Sequence, residues 1–154
     1  MGSFSVIGLA RSGLAAANAL ARRGHSVQAS DIRTPAQLSD YLAKLDPRVT
    51  VKLGSNAFRP GDTLVMSPGI RPAAKIFEDA RAAGCDIIGE VALFQRLRPQ
   101  AVPILAITGT DGKSTTTSWL GHIMSGVGPV WTGGNLGTPL CESLDQLTDQ
   151  HIVV

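Results

Sequence analysis

The chain contains 154 residues, of which 44% are apolar and 17% charged, with 17 glycines, 9 prolines and 2 cysteines. This composition excludes an intrinsically disordered chain, which requires few apolar residues and a high net charge. The formal net charge is only +2 and the basic residues are scattered, so we expect no nucleic-acid partner and no membrane partner.

Cysteine content and hydropathy favour a cytoplasmic setting. Cys85 and Cys141 are too few for a disulfide framework, and we interpret both as reduced thiols. No apolar run reaches the roughly 18–20 residues that a transmembrane helix requires. The first residues lack the basic head and the cleavage site of a signal peptide. We therefore expect a cytoplasmic protein.

Short apolar runs alternate with helical patterns along the chain. Strands are predicted at residues 5–8, 26–30, 49–53, 63–66, 87–88, 104–108, 129–132 and 152–154. Helices are predicted at residues 12–23, 34–45, 73–83, 90–97, 114–124 and 140–147. This alternation indicates an α/β fold, in which helices cover the faces of a parallel sheet. A proline-bounded break at residues 99–103 predicts a domain boundary after residue 97.

A glycine-rich turn follows the first predicted strand. Residues 8–13 read Gly-Leu-Ala-Arg-Ser-Gly; the first glycine permits a tight turn and the last lets the helix approach the sheet. The amides and the dipole at the helix start favour a diphosphate. Asp31 ends the second strand, where dinucleotide-binding folds carry a ribose-binding acid. The pattern predicts a Rossmann-like nucleotide site, and a tight turn without a ligand stays open.

A second loop joins a predicted strand to a predicted helix in the later part of the chain. Residues 108–115 read Thr-Gly-Thr-Asp-Gly-Lys-Ser-Thr. Backbone amides of such a loop wrap phosphate oxygens, Lys113 adds a positive charge, and Ser114 offers a hydroxyl to Mg²⁺. The strict P-loop pattern requires glycine at Ile107, so an ordinary capped helix is the alternative.

A third glycine-rich segment, residues 132–137, follows another predicted strand. Asn135 within it could present its amide to a ligand. The alternative is that these glycines only turn the chain.

These motifs, in this order, resemble the Mur ligases of peptidoglycan synthesis, and among them the D-glutamate-adding branch. The segments that carry the resemblance are residues 8–13, 31–33, 67–70, 106–115 and 133–137. The resemblance implies a UDP-binding Rossmann-like domain over residues 1–97. It implies an incomplete central ATP-binding domain of the P-loop type over residues 98–154, and we expect the sequence to be truncated within it. The alanine-adding branch fits less well, because it usually has histidine at Asp111 and threonine at Ser114.

The resemblance also implies roles for individual residues. The UDP-binding residues would be Arg11, Ser12, Asp31, Ile32, Arg33 and Gly69. The ATP-binding residues would be Gly109, Thr110, Asp111, Gly112, Lys113, Ser114 and Thr115. Among these, Lys113 would be catalytic and Ser114 would ligate the metal, while Asn135 would face the muramoyl substrate.

Two residues depart from the family pattern. Ile32 stands where the family often has threonine, so only a backbone contact could remain at that position. Asp111 stands where the family usually has asparagine. A carboxylate beside a triphosphate is unfavourable unless Mg²⁺ or a hydrogen bond offsets it.

The implied activity is ATP- and Mg²⁺-dependent addition of D-glutamate to UDP-N-acetylmuramoyl-L-alanine through an acyl phosphate, by a monomer. We expect these 154 residues alone not to catalyse that ligation. One alternative is a stand-alone UDP-binding module without catalysis. Another is a dinucleotide oxidoreductase, for which the first glycine turn and Asp31 would suffice, but which leaves Lys113 and Ser114 unexplained.

Overall fold

The computed structural model describes residues 1–71, 75–134 and 137–154. The chain divides into two compact units, residues 1–93 and 94–154, and each is described by itself. Within the described ranges, no helix has the length and apolar character needed to span a membrane. The division falls four residues before the predicted boundary at residue 97.

The first unit is built on a five-stranded parallel sheet. The strands are β1 (Ser3–Ile7), β2 (Ser26–Asp31), β3 (Thr50–Leu53), β4 (Thr63–Met66) and β5 (Asp86–Gly89). Their order in the sheet is β3-β2-β1-β4-β5, so the chain winds outward from β1 in both directions. The helices of this part are α1 (Arg11–Arg22), α2 (Ser39–Leu42), α3 (Lys75–Ala82) and α4 (Glu90–Leu97), which runs past the division. The predicted α/β class with a parallel sheet is confirmed.

Helix α1 packs on the sheet through small side chains. The stripe predicted from sequence, Leu14, Ala17 and Ala21, is buried. Helix α1 contacts β1 and β2, whose paired residues Val6 and Ala29 are buried as well. Because alanine adds only a methyl group, α1 can lie close to β1 and β2 without displacing other side chains.

The helix predicted at residues 34–45 is wrong in length. A 3₁₀ turn at Ala36–Leu38 and the single turn α2 replace it. The backbone bonds after α2 are also of the 3₁₀ type, from the Lys44 amide to the Tyr41 carbonyl at 3.1 Å and from the Leu45 amide to the Leu42 carbonyl at 3.2 Å. Just beyond them, Asn18 on α1 donates to the Lys44 carbonyl at 2.9 Å and accepts from the Asp46 amide at 2.7 Å. The tighter i→i+3 turns on both sides of α2 replace the α-helical bonding pattern, so only one α-helical turn forms.

Helix α3 begins at Lys75 in the structure, and residues 73–74 of the predicted helix lie outside the described residues. Ile76 and Ala80 are buried as predicted, whereas Ala83 is only half-buried, beyond the end of the helix.

The second unit contains α5 (Lys113–Met124), β6 (Val130–Trp131), α6 (Leu140–Ser143) and β7 (Ile152–Val153), with β6 and β7 paired in parallel. Helix α5 packs through Gly121, where a Cβ would lie 2.4 Å from Thr132 Oγ1. Its Trp119 and Ile123 are exposed. Helix α6 is shorter than the predicted 140–147, because residues 144–146 form turns.

The strand predicted at residues 104–108 does not form. Ile104 makes an isolated parallel bridge with Val153, and the Leu105 amide donates to the Val153 carbonyl at 2.8 Å. Strand β7 contributes only two residues to pairing, so the backbone pairing of this segment ends at Leu105. Apolar composition alone does not make a strand without a backbone partner.

A network of charged and polar side chains lies in the first unit, near the end of the sheet where β1 and β4 begin. Asp62 is buried and accepts from Ser5 Oγ at 2.6 Å and from Arg59 Nε at 2.9 Å. The same guanidinium donates to the Phe4 and Ser26 carbonyls. Burial raises the pKa of Asp62, but the hydrogen bonds outweigh it, and the net pKa is lowered.

We predict that Arg59→Ala lowers the free energy of unfolding by about 3 kcal/mol, because it leaves the Asp62 carboxylate buried without its cationic partner. Arg48→Ala is the matched control, since Arg48 pairs with Asp46 at the surface and such pairs contribute about 0–1 kcal/mol. Urea unfolding of both variants measures the difference. Equal destabilisation by the two substitutions would contradict this role of Arg59.

Candidate functional site

The turn between β1 and α1 depends on two glycines. Gly8 has a φ of +89° and donates its amide to the Ser30 carbonyl at 2.7 Å. A Cβ at Gly13 would lie 1.7 Å from the Gly8 carbonyl oxygen, closer than any contact a side chain tolerates. Helix α1 therefore begins in direct contact with the end of β1, as the glycine spacing predicts.

The N-terminus of α1 lies at the carboxyl edge of the sheet. Its N-cap residue is Ala10, whose methyl group cannot accept a hydrogen bond from the first-turn amides. Arg11 is exposed and Ser12 is half-buried there. Amides at a helix start carry partial positive charge, which suits an anionic ligand.

Asp31, at the end of β2, is a buried carboxylate with four hydrogen bonds. Oδ1 accepts from the backbone amide and Nε of Arg33, both at 2.9 Å. Oδ2 accepts from Arg33 Nη2 and from the Leu9 amide, both at 2.7 Å. The carboxylate thus joins the glycine turn to Arg33, and these bonds occupy its acceptor positions.

These bonds change the titration of Asp31. Burial raises its pKa, but the hydrogen bonds from Arg33 and Leu9 outweigh that effect and lower the pKa to about 2. The guanidinium of Arg33 also lies 5.9 Å from the ring centroid of Tyr41. Arg33 is therefore held from two sides, by a carboxylate and by an aromatic face.

The residues predicted to bind UDP follow three neighbouring strands. Arg11 and Ser12 come after β1, Asp31 to Arg33 come at the end of β2, and Gly69 comes after β4. The carboxyl ends of parallel strands share one edge of the sheet, so all six lie at that edge. Ile32 is 66% exposed there, and Gly69 is exposed as well.

The loop predicted to bind ATP precedes α5 in the second unit. Gly112 is the N-cap of α5 with a φ of +72°, and Gly109 has a φ of +155°. The ammonium of Lys113 donates to the carbonyls of Gly109 and Thr110, the latter at 2.9 Å. The ammonium group is therefore bonded to carbonyls of the same loop that was predicted to bind phosphate.

The other residues assigned to ATP are at the surface. Thr110, Asp111, Ser114 and Thr115 are exposed. Asn135, assigned to the muramoyl substrate, lies outside the described residues. On either side of it, Gly134 and Gly137 have φ values of +87° and +96°, as residues that turn the chain do.

Metal-binding chemistry in the described ranges is sparse. No group of three or more histidine, cysteine, aspartate or glutamate side chains lies there in a position to hold a metal ion. The hydroxyl of Ser114 can supply one oxygen ligand. A single protein ligand fits Mg²⁺, because in nucleotide sites this ion takes its other ligands from phosphates and water.

Ser67 and Tyr41 are two residues near the site whose contacts the motifs did not predict. Ser67, which follows β4, donates its hydroxyl to the Gly8 carbonyl at 2.8 Å. Ser67 belongs to segment 67–70, which carries part of the family resemblance, and this was the one sign in the sequence that the residue matters. The contact of Tyr41 with Arg33 had no such signal, because it depends on how the segment after β2 folds.

The doubly wound sheet, with a glycine turn and an uncapped helix start at its carboxyl edge, defines a Rossmann-like α/β protein with a candidate anion site. The family described as Mur ligase MurD-like, N-terminal domain, matches residues 2–89. The chain belongs to this family, and the predicted resemblance is confirmed.

Individual relatives agree with the family match. The chain is 43% identical over 141 residues to a UDP-N-acetylmuramoylalanine--D-glutamate ligase of Anaeromyxobacter dehalogenans, covering 90% of this chain and 30% of the relative. It is 35% identical over 150 residues to the ligase of that name from Pasteurella multocida, covering 97% and 34%. The chain thus spans about a third of the length of these curated relatives.

Two solved structures share the fold. A pseudomurein peptide ligase type C from Methanothermus fervidus aligns with a TM-score of 0.55 at 24% identity, covering 100% of this chain and 32% of that one. The murein peptide ligase mpl from Psychrobacter arcticus aligns with a TM-score of 0.51 at 17% identity, covering 99% and 37%.

We predict that Gly13→Ala lowers the free energy of unfolding by about 3 kcal/mol, because the added methyl would overlap a backbone oxygen that cannot move independently. Gly89→Ala is the matched control, since a Cβ there meets nothing within 4 Å. Urea unfolding compares them. A Gly13→Ala variant as stable as wild type would show that α1 does not begin in contact with β1.

We predict that Asp31→Asn reduces the loss of unfolding free energy at acid pH. The folded-state pKa of Asp31 is about 2, below the ordinary value of 3.8, so its contribution is present above about pH 4. That contribution disappears as the pH falls from about 4 through about 2. Wild type should therefore lose about 2 kcal/mol more than the variant over this range, measured by urea unfolding.

Arg33→Met tests the cause of that pH dependence, because it keeps the carboxylate and removes the bidentate partner. It should reduce the same loss of unfolding free energy. Equal losses at acid pH for wild type and Asp31→Asn would contradict the lowered pKa of Asp31.

Proposed function

We propose that residues 1–97 bind the UDP part of a muramoyl precursor at the carboxyl edge of β1, β2 and β4. The observation that carries this proposal is the start of α1, which has no side-chain cap at Ala10 and lies beside the Asp31–Arg33 pair. A helix N-terminus suits a diphosphate, and a planar guanidinium next to it suits a nucleobase. Membership of the family supports the same assignment.

Each predicted UDP residue has a distinct part in this proposal. The amides of Arg11 and Ser12 bind the diphosphate. Ile32 and Gly69 border the uracil with apolar surface and backbone, and Ile32 contributes no hydroxyl. Arg33 lies beside the base, and Asp31 keeps it there.

The hydrogen bonds that Asp31 already accepts argue against the alternative function of a dinucleotide oxidoreductase. In that class an acidic side chain accepts a hydrogen bond from a ribose hydroxyl. Here both carboxylate oxygens already accept two hydrogen bonds each, from Arg33 and Leu9. A ribose hydroxyl would have to displace one of them.

We further propose that the chain is part of an ATP-dependent ligase that adds D-glutamate to UDP-N-acetylmuramoyl-L-alanine. The relatives' names support this proposal. ATP with Mg²⁺ would transfer its γ-phosphoryl group to the alanyl carboxylate and release ADP. The amine of D-glutamate would then form the amide bond and displace inorganic phosphate. Residues 109–115 would hold the phosphates, with Lys113 neutralising their charge and Ser114 offering its hydroxyl to Mg²⁺.

A second candidate function is a UDP-binding module without catalysis. The hydrogen bonds of the second loop favour this function, because the Lys113 ammonium donates to the carbonyls of Gly109 and Thr110 in the same loop. Phosphate binding at this loop requires the ammonium to exchange those partners for phosphate oxygens.

Two reciprocal variants test the proposed sites in the 154-residue chain by calorimetric titration of UDP and of ATP with Mg²⁺. Arg33→Ala should weaken UDP binding about tenfold and leave ATP binding unchanged, because charge-assisted contacts contribute on this scale. Lys113→Met should weaken ATP binding about tenfold and leave UDP binding unchanged.

Lys52→Met, on the exposed side of β3, is the control for loss of a lysine charge and should alter neither affinity. UDP binding without ATP binding by wild type would favour the module. Absence of UDP binding by wild type would refute the proposed function of residues 1–97.

A further inference from the structure

One peptide group in the glycine turn is held at both of its ends. The carbonyl of Gly8 accepts from Ser67 Oγ at 2.8 Å. The amide of Leu9, on the other side of the same peptide bond, donates to Asp31 Oδ2 at 2.7 Å. The C=O and N–H of a trans peptide point in opposite directions, so the two side chains hold one plane from opposite edges.

The two side chains come from the strands on either side of β1. Asp31 ends β2 and Ser67 follows β4, while β1 lies between these strands and leads into Gly8. Ser67 is itself fixed, because its amide donates to the Ile7 carbonyl at 3.0 Å, one residue beyond the β1–β4 pairing. The contacts therefore connect three adjacent strands across the carboxyl edge of the sheet.

The orientation of this peptide determines how α1 begins. The Gly8 oxygen occupies the space where a Cβ of Gly13 would be, so it lies against the first turn of α1. Rotation of the peptide in one direction pushes this oxygen into α1. Any large rotation also withdraws the Leu9 amide from Asp31. Fixing the peptide thus fixes the path from Gly8 to Arg11.

We propose that Ser67 is a positioning residue: with Asp31 it locks the Gly8–Leu9 peptide and so directs the first-turn amides of α1 at the diphosphate. This inference rests on the proposed UDP site and adds a determinant of its affinity. Ser67 acts through the Gly8 carbonyl and needs no contact with the ligand. Removing the hydroxyl leaves that carbonyl without its partner, and the peptide is then held only from the Leu9 side.

The test compares Ser67→Ala, Ser67→Thr and Ser5→Ala with wild type, each as the 154-residue chain. Ser5→Ala is the matched control, because it also removes a serine hydroxyl that is hydrogen-bonded in the first unit, but its partner Asp62 precedes β4, whereas Ser67 follows β4. Two quantities are measured: UDP affinity by calorimetry and hydrogen exchange of the Leu9 amide by NMR without ligand.

Ser67→Ala should weaken UDP binding about tenfold and accelerate exchange at Leu9 about tenfold, on the scale of one lost hydrogen bond. Ser67→Thr keeps a hydroxyl and should restore most of both properties. Ser5→Ala should lower thermal stability while leaving Leu9 exchange, relative to global unfolding, and UDP affinity of the folded protein unchanged.

The inference is overturned if Ser67→Ala leaves Leu9 exchange and UDP affinity at wild-type values. It is also overturned if Ala and Thr variants are equally impaired, because the effect would then not depend on the hydroxyl. Failure of wild type to bind UDP refutes the proposed function instead, while the Leu9 exchange still decides whether Ser67 locks the peptide.

Discussion

The contact between the first turn of α1 and the end of β1 is the constraint on which the candidate UDP site depends. The Gly8 oxygen stands where a Cβ at Gly13 would be, so a helix of L-residues with any side chain at that position would have to withdraw from the strand. Close approach brings the helix start to the carboxyl edge of the sheet. There the dipole and the amides act over short distances, where their effect on an anion is largest.

The buried carboxylate of Asp31 extends this constraint to the neighbouring strand. A buried ionised group is costly unless it is paired and hydrogen-bonded, and here Arg33 and the Leu9 amide supply four hydrogen bonds. The low pKa shows that these bonds favour the charged form more than burial disfavours it. Arginine suits this position because its planar fork satisfies both oxygens and leaves one face for Tyr41.

Local patterns predicted much of the first unit and less of the second. The stripe Leu14, Ala17 and Ala21 predicted the buried face of α1, because helical period and burial coincide there. The helix after Thr34 was overpredicted, because apolar spacing does not distinguish α-helical from 3₁₀ turns, and 3₁₀ turns precede and follow α2. The strand predicted at 104–108 does not form for a different, long-range reason, since strand formation depends on the length of its partner β7.

The candidate site shows the same division between local and long-range information. The glycine spacing and the acid at position 31 could be read from sequence, since both follow from the geometry of a strand–turn–helix unit. That the Leu9 amide binds Asp31, and that Ser67 binds the Gly8 carbonyl, could not be predicted, because both contacts depend on which strands are neighbours.

The two glycine loops differ in how they are held, although both precede a helix. The Gly8 turn is bonded by side chains from two other strands, which are parts of a five-stranded sheet. The Lys113 ammonium bonds carbonyls within its own loop. Tertiary contacts fix a backbone before the ligand arrives and so reduce the entropy lost on binding, whereas local contacts that use the ligand-binding group must first be exchanged. The first loop is therefore the preorganised one, and only the proposed phosphate contact of Lys113 requires an exchange of hydrogen-bond partners.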